Sequence, residues 1–241
     1  MTEVGVLFRG PLVRALLRPI DPKTQTRRLI TPRVVGRGPD PAKGPIRTEL
    51  APDGTACMIQ GDVGYPLPRC RYGRPGDRLW VRETWRTGVA PDHMSPAAIA
   101  DQCISAGYAK PWAPLKYEAD GATRDEHYLR QTSGGVADFG GDWGKTRVAI
   151  HLPRWAARIE LDVSAVRAEP LQAITEADAL AEGVERVDGR PGWFRFGDRT
   201  SFVVAPSAVA AFAGGWDLIN SDSAPWASNP WVWAISFRRV P

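Results

Sequence analysis

An α+β fold, built as a small β-barrel or curled sheet with short capping helices, is the architecture this sequence predicts. Three observations carry that expectation. The 241 residues include ten tryptophans, 22 prolines and 24 glycines, a composition of short strands and many turns rather than of a helical bundle. Several short runs alternate apolar and polar side chains, the period of a half-buried strand. The helix-like segments are few and lie near strand junctions, so they cap sheets rather than form a layer of their own. With 43% hydrophobic and 24% charged residues, the chain has the composition and length for a real core.

Residues 5–18 open on the apolar stretch Val6-Leu7-Phe8 and continue as a helix, with Leu12, Ala15 and Leu16 at i, i+3 and i+4 and Val13 and Leu17 alongside. Pro11 suits its first turn and Pro19 stops it. The Lys23–Ile30 segment reads as a strand whose period of two puts Thr24, Thr26 and Arg28 on one face. Residues 31–75 are rich in Pro, Gly and Arg without a clear period, which predicts an extended insertion or loop. In 77–85, Leu79, Val81 and Trp85 alternate with Trp80, Arg82 and Thr84, the pattern of a strand. Residues 86–146 are irregular, with a helix expected near Pro96–Gly107, and a clean strand follows at 158–166.

Ile174–Gly183 carries strong helix punctuation: Thr175 as N-cap, Asp178 three residues on as in a capping box, and Gly183 at the C-terminus. Residues 185–206 are expected to be a loop or hairpin insertion. Val209, Phe212, Ala213, Trp216 and Ile219 mark a last helix capped by Ser207, which the pair Gly214-Gly215 weakens. In the final strand Trp231, Trp233, Ile235 and Phe237 alternate as an inward stripe. Such a stripe is better read as a core face than as a base-stacking platform.

The bulk chemistry narrows the function classes. Cys57, Cys70 and Cys103 are odd in number and include no C-x-x-C pair, so neither a zinc knuckle nor a disulfide scaffold is supported. His93, His127 and His151 are scattered. No apolar run approaches the ~20 residues that span a bilayer, and the N-terminus lacks the order of a signal peptide. The expectation is a cytoplasmic, reduced protein with no metal, no cofactor and no membrane partner. A net charge of +4 permits nucleic-acid or nucleotide binding without demanding it.

Three places concentrate chemistry. Lys23-Thr24-Gln25-Thr26-Arg27-Arg28 puts an amine, two hydroxyls and two guanidiniums within six residues, a cluster able to hold a polar ligand and equally able to be a solvated basic strand. Glu83 falls on an apolar strand face, where a carboxylate must be paired or protonated; pairing with a core arginine and a catalytic role are equally open. Glu182 ends a helix, facing the negative end of the dipole and following Asp178 at i+4. That placement raises a carboxylate's pKa and suits a proton-transfer group, although exposed helix ends carry such residues at little cost.

The order of a short helix, Lys-x-x-Thr-x-Arg (Lys23, Thr26, Arg28), Gly-Asp-x-Leu (Gly76, Asp77, Leu79), Leu-x-x-Ile-Thr-Glu (Leu171, Ile174, Thr175, Glu176) and a C-terminal strand resembles the ASCH domain. That domain belongs to the PUA-like superfamily of β-barrels. With Arg82-Glu83-Thr84-Trp85, Leu152-Pro153-Arg154-Trp155 and Asn229-Pro230-Trp231-Val232-Trp233, the chain looks like the longer ASCH-type proteins of phages and prophages. The resemblance covers most of 1–241 as a single domain, with insertions at about 31–75, 86–146 and 185–206.

PUA-like domains bind RNA or modified bases, and the family's small amidohydrolases release the acyl group from N4-acetylcytidine. Similarity to these implies Lys23, Thr26 and Glu182 as catalytic residues, with Glu182 resting on an ungapped match; a shift would put Glu176 or Asp178 there. In that reading Thr26 Oγ is the nucleophile or a water attacks directly. Lys23 is the base, its pKa lowered by burial or by Arg27 and Arg28, and Glu182 orients Lys23 or carries a proton to the leaving nitrogen. Arg28 binds a carbonyl oxygen, and Glu83 and Trp85 complete the substrate pocket, Trp85 by stacking on the pyrimidine. A modified nucleoside is then the substrate. The competing class is a non-catalytic RNA or modified-base binder, which has no use for the carboxylate. A nuclease lacks a histidine or metal cluster.

Overall fold

The computed structural model of the protein describes residues 1–30, 46–50, 56–124, 142–197 and 201–241. The remaining parts of the expected insertions, with His127, lie outside the described residues. The fold is α+β. In chain order the elements are β1 (Glu3–Leu7), α1 (Gly10–Leu17), β2 (Gln25–Leu29), β3 (Ile46–Leu50), β4 (Ala56–Gln60), β5 (Val63–Leu67), β6 (Arg78–Arg82) and β7 (Trp85–Thr87). Then come α2 (Pro96–Ser105), β8 (Leu115–Tyr117), β9 (Thr123–Arg124), β10 (Glu160–Pro170), α3 (Glu176–Ala181), β11 (Glu185–Arg186), β12 (Phe194–Gly197), β13 (Phe202–Ala205), α4 (Ala208–Asn220) and β14 (Trp231–Arg239). A five-stranded sheet runs in the order β1-β6-β10-β14-β2, and β3–β5, β7–β9 and β11–β13 each form a three-stranded sheet. No helix among the described residues is long and apolar enough to cross a membrane.

The chain divides into two compact units, one of Met1–Val4, Ala15–Leu79 and Leu161–Pro241, the other of Gly5–Arg14 and Trp80–Glu160. In the first, β14 is antiparallel to both β10 and β2, so it is an interior strand. Val232, Trp233, Ala234, Ile235 and Phe237 are all buried, and Trp231 is half-buried. The expected single inward stripe was therefore too narrow, because a strand covered on both faces buries both sets of alternating residues. The β10 register shifts between Val163 and Ala165, the local irregularity of a β-bulge.

The described part of the 185–206 segment forms the β11–β13 sheet, with Phe194 and Phe196 of β12 buried and Phe196 5.5 Å from Phe212 of α4. Here Gly214 and Gly215 have a packing reason. A Cβ at Gly215 would collide with the Phe196 ring, and one at Gly214 would sit 2.8 Å from Val203. The helix accepts two poor helix formers so that the sheet can approach it.

The second unit has its own core of Trp85, Ile99, Ala113, Leu115, Tyr117, Leu152 and Ala156. Its helix α2 starts as its sequence suggests: Ser95 accepts from Ala98 N at 3.1 Å, and Pro96 occupies the first turn. The strand expected over 77–85 is broken at Glu83–Thr84, and β6 and β7 belong to different sheets. The 31–75 segment contains the antiparallel meander β3-β4-β5 rather than only loop.

Candidate active site

The first unit gathers charge around the C-terminal end of α3. This helix is opened by a complete capping box: Asp178 N donates to Thr175 Oγ1 at 3.1 Å and Thr175 N to Asp178 Oδ2 at 3.2 Å. It is closed by a Schellman motif, with Val184 N on Ala179 O (3.2 Å) and Gly183 N on Leu180 O (2.9 Å). Gly183 holds φ +101°, and a Cβ there would lie 3.0 Å from Ala15 Cβ. Only glycine meets both conditions without strain.

The carbonyls left over at this helix end are taken by the segment after α1. Thr24 N donates to Ala181 O (2.8 Å), Lys23 Nζ to Glu182 O (2.7 Å) and Arg18 Nη1 to Gly183 O (3.2 Å). Lys23 N in turn bonds Ala15 O, and Phe237 N bonds Thr24 O. Lys23 is thereby fixed at the negative end of the helix dipole, where a cation is favoured.

Its ammonium also donates to Glu182 Oε2 at 2.7 Å, with the two side chains only 1% and 4% exposed. Burial pushes the Lys23 amine down from its ordinary value, the charge and hydrogen bond of Glu182 pull it back, and Arg28 and Arg27 press it lower, leaving it at about 8. Glu182 is the cap residue of α3, as its position in the sequence suggests, but it is held by two cations. Its other oxygen, Oε1, accepts from Arg27 Nη1 at 3.3 Å.

Arg27 is the hub of the surrounding network. Its guanidinium donates to Gln25 Oε1 and to Glu169 Oε1 (2.6 Å) and stands 3.5 Å from Asp178 Oδ2. Gln25 Nε2 donates to Asp178 Oδ1 (3.0 Å) and Ser236 Oγ (3.3 Å), while Arg167 bridges Glu169 and Asp178. Burial would raise the Asp178 carboxyl, but hydrogen bonds from Gln25 and Thr175 and the charge of Arg27 outweigh it and hold it at about 2. Gln25 carried no expected site role, and Arg27 was expected only to help lower the Lys23 amine rather than to anchor the carboxylates. Their signal is the alternation from Lys23, which aligns 23, 25 and 27 toward one set of carboxylates.

The other expected site residues are distributed differently. Thr26 is buried on β2, paired with Ile235 of β14. Among the described residues its hydroxyl hydrogen-bonds to neither Lys23 nor Glu182. Arg28 is half-buried, with its guanidinium 5.8 Å from the Tyr72 ring centroid; Arg71 lies 5.3 Å from the same ring. Thr24, expected on their face, is exposed outside the strand.

Glu83 and Trp85 belong to the second unit. Glu83 is 1% exposed and forms a two-pronged pair with Arg158, Nε to Oε1 and Nη2 to Oε2, both 2.8 Å. Arg158 also holds Asp120 and lies 4.1 Å from the Tyr117 ring centroid. Burial pushes the Glu83 carboxyl up against the pull of Arg158. Of the two roles open to Glu83, pairing with a core arginine is the observed arrangement. Trp85 is fully buried in the core of its unit with Arg147 5.2 Å from its ring. This corrects its expected stacking role, because the indole is enclosed by protein rather than presented to a ligand.

Among the described residues no group of three or more His, Cys, Asp or Glu side chains is arranged to hold a metal ion. Compared with family models, curated proteins and solved structures, the chain matches nothing. A buried lysine held at about 8 against a hydrogen-bonded carboxylate is an arrangement chemically able to move a proton near neutral pH.

Proposed function

We propose that this chain is an ASCH-type protein of the PUA-like superfamily, its sheets a barrel-derived arrangement, and that it is an amidohydrolase removing the acyl group from N4-acylated cytidine or a related pyrimidine nucleoside in the cytoplasm. The observation that carries the reading is the buried Lys23–Glu182 pair with Lys23 held at about 8. At that value about one amine in ten is neutral at pH 7. The neutral amine takes the proton of the nucleophile, which is the Thr26 hydroxyl or a water beside it, as oxygen attacks the amide carbonyl carbon. The C–N4 bond then breaks, and the proton passes from the Lys23 ammonium to the departing N4; on the Thr26 route a water, deprotonated by the again neutral Lys23, then attacks the acyl ester, releasing the carboxylic acid and restoring the Thr26 hydroxyl. Glu182 keeps the ammonium aimed through the transfer. Arg28 neutralises the developing oxyanion or the base's O2.

Absorbance-monitored hydrolysis of N4-acetylcytidine tests this. Lys23→Ala and Glu182→Gln are expected to lose at least a hundredfold in kcat while remaining folded. Full activity in either variant refutes the assignment. Thr26→Ala separates the two nucleophiles: loss of an acyl-enzyme adduct by mass spectrometry favours the ester route, and retained turnover favours water.

A second reading, a non-catalytic binder of RNA or a modified base, draws on the half-buried Arg28 and its neighbour Arg71 against the Tyr72 ring. Flat guanidiniums beside an aromatic ring suit phosphate and base edges. Tight binding of an acylcytidine without turnover would favour it.

A further inference from the structure

The hairpin sheet that follows Glu182 has features the Lys23–Glu182 chemistry does not use. Its root is fixed to the end of α3: Arg18 donates to Gly183 O and pairs with Glu185 at 3.1 Å, and Glu185 also pairs with Arg195. Beyond that root, Arg186 and Arg190 are exposed, and among the described residues neither guanidinium is paired with a carboxylate. Each instead lies against an aromatic ring of the same hairpin, Arg186 5.3 Å from the Phe194 centroid and Arg190 3.8 Å from that of Trp193. Among its described residues the 185–197 hairpin carries three arginines (Arg186, Arg190, Arg195) and two carboxylates (Glu185, Asp188), and Glu185 is already paired with Arg18 and Arg195.

A guanidinium laid on a ring is pre-ordered, so it loses less freedom when its fork meets a phosphate. The half-buried Trp193 indole adds a π-surface at the same tip. The inner face is occupied by Phe194 and Phe196 packing, so the excess charge belongs to the outer part of the hairpin rather than to the core.

We propose that the β11–β13 hairpin is a single-stranded nucleic-acid arm, with Arg186 and Arg190 on successive backbone phosphates and Trp193 stacking a base. The substrate of the neighbouring Lys23–Glu182 site is then a modified base within a strand rather than a free nucleoside. The second statement rests on the amidohydrolase reading; the first does not.

The test is fluorescence anisotropy with labelled 12-nucleotide RNA and DNA of one unmodified sequence, single-stranded and duplex, across 50–200 mM salt. Single-strand binding is expected, its log K against log salt slope falling by ~0.7 for each of Arg186→Ala and Arg190→Ala. Trp193→Ala is expected to weaken binding about tenfold. RNA preference and equal binding of RNA and DNA both support the arm, the former adding sugar recognition. Absent binding, duplex binding as tight as single-strand, or unchanged slopes in both arginine variants overturns it. The amidohydrolase reading fails separately, as arm-dependent binding with no release of acyl group from an acylated strand. If both hold, the arm variants lower kcat/KM on the strand about tenfold and leave the free nucleoside unaffected; equal losses on both overturn the arm's role in substrate choice.

Discussion

Lys23 can serve as a base near neutrality only because burial outweighs the carboxylate it is bonded to. An exposed lysine beside Glu182 would stay protonated throughout the physiological range. The expected consequence is a kcat that rises with limiting slope one and levels above about pH 8, read from a pH–rate profile on N4-acetylcytidine. Glu83 makes the contrasting case. Removing the Glu83 charge takes one of two carboxylate partners from the half-buried Arg158, which keeps Asp120, so Glu83→Gln should lower unfolding stability by roughly 1–3 kcal/mol in urea titration while leaving kcat within twofold. If Glu83→Gln abolishes turnover and Glu182→Gln does not, the carboxylates have been assigned the wrong way round. At this scale the sequence was informative about Lys23 and Glu182 because their motifs flank readable element ends. It was silent on Trp85, since an aromatic residue in an alternating run gives no sign of which wall encloses it.

At the scale of elements, the site depends on how α3 stops. The capping box and Gly183 were legible because caps are local, set by residue types within four positions of one another. Gly183→Ala must adopt positive φ and meet Ala15, so a loss of about 1–3 kcal/mol is expected in thermal or urea unfolding. The Lys23 contact to Glu182 O should be disturbed with it, moving the pH–rate midpoint. Thr175→Ala removes the N-terminal cap and its hydroxyl's bond to Asp178 but leaves the Lys23 contacts in place, so it should cost about 1 kcal/mol with an unchanged midpoint. An unmoved midpoint in Gly183→Ala would detach the helix end from the chemistry. The hairpin at 185–206 and the glycine pair in α4 were harder to read, because Gly214 and Gly215 answer to Val203 and Phe196, more than ten residues away.

Across the whole molecule, the network joining Gln25, Arg27, Arg167, Glu169 and Asp178 draws on β2, β10 and α3. No local pattern announces it, since its members are brought together by pairing through β14 rather than by spacing. The division into two compact units was equally hidden, because each unit is assembled from segments that alternate along the chain. The network ties stability to acid. Asp178 has a folded value of about 2, below the unfolded 3.8, so it contributes stability above the unfolded value that is lost as pH falls through the folded one. Urea titrations at pH 6 and pH 2.5 should show Asp178→Asn less stable by on the order of 2 kcal/mol at pH 6 and by only about 1 kcal/mol at pH 2.5, where the contribution is partly lost. A gap independent of pH would remove Asp178 from the linkage. The central claim, that the Lys23–Glu182 pair hydrolyses an N4-acyl bond, is met most directly by release of cytidine from N4-acetylcytidine at pH 8, wild type against a folded Lys23→Ala. The account predicts turnover by the wild type and at least a hundredfold less by the variant; a folded wild type that releases no cytidine, or a variant that matches it, contradicts the account.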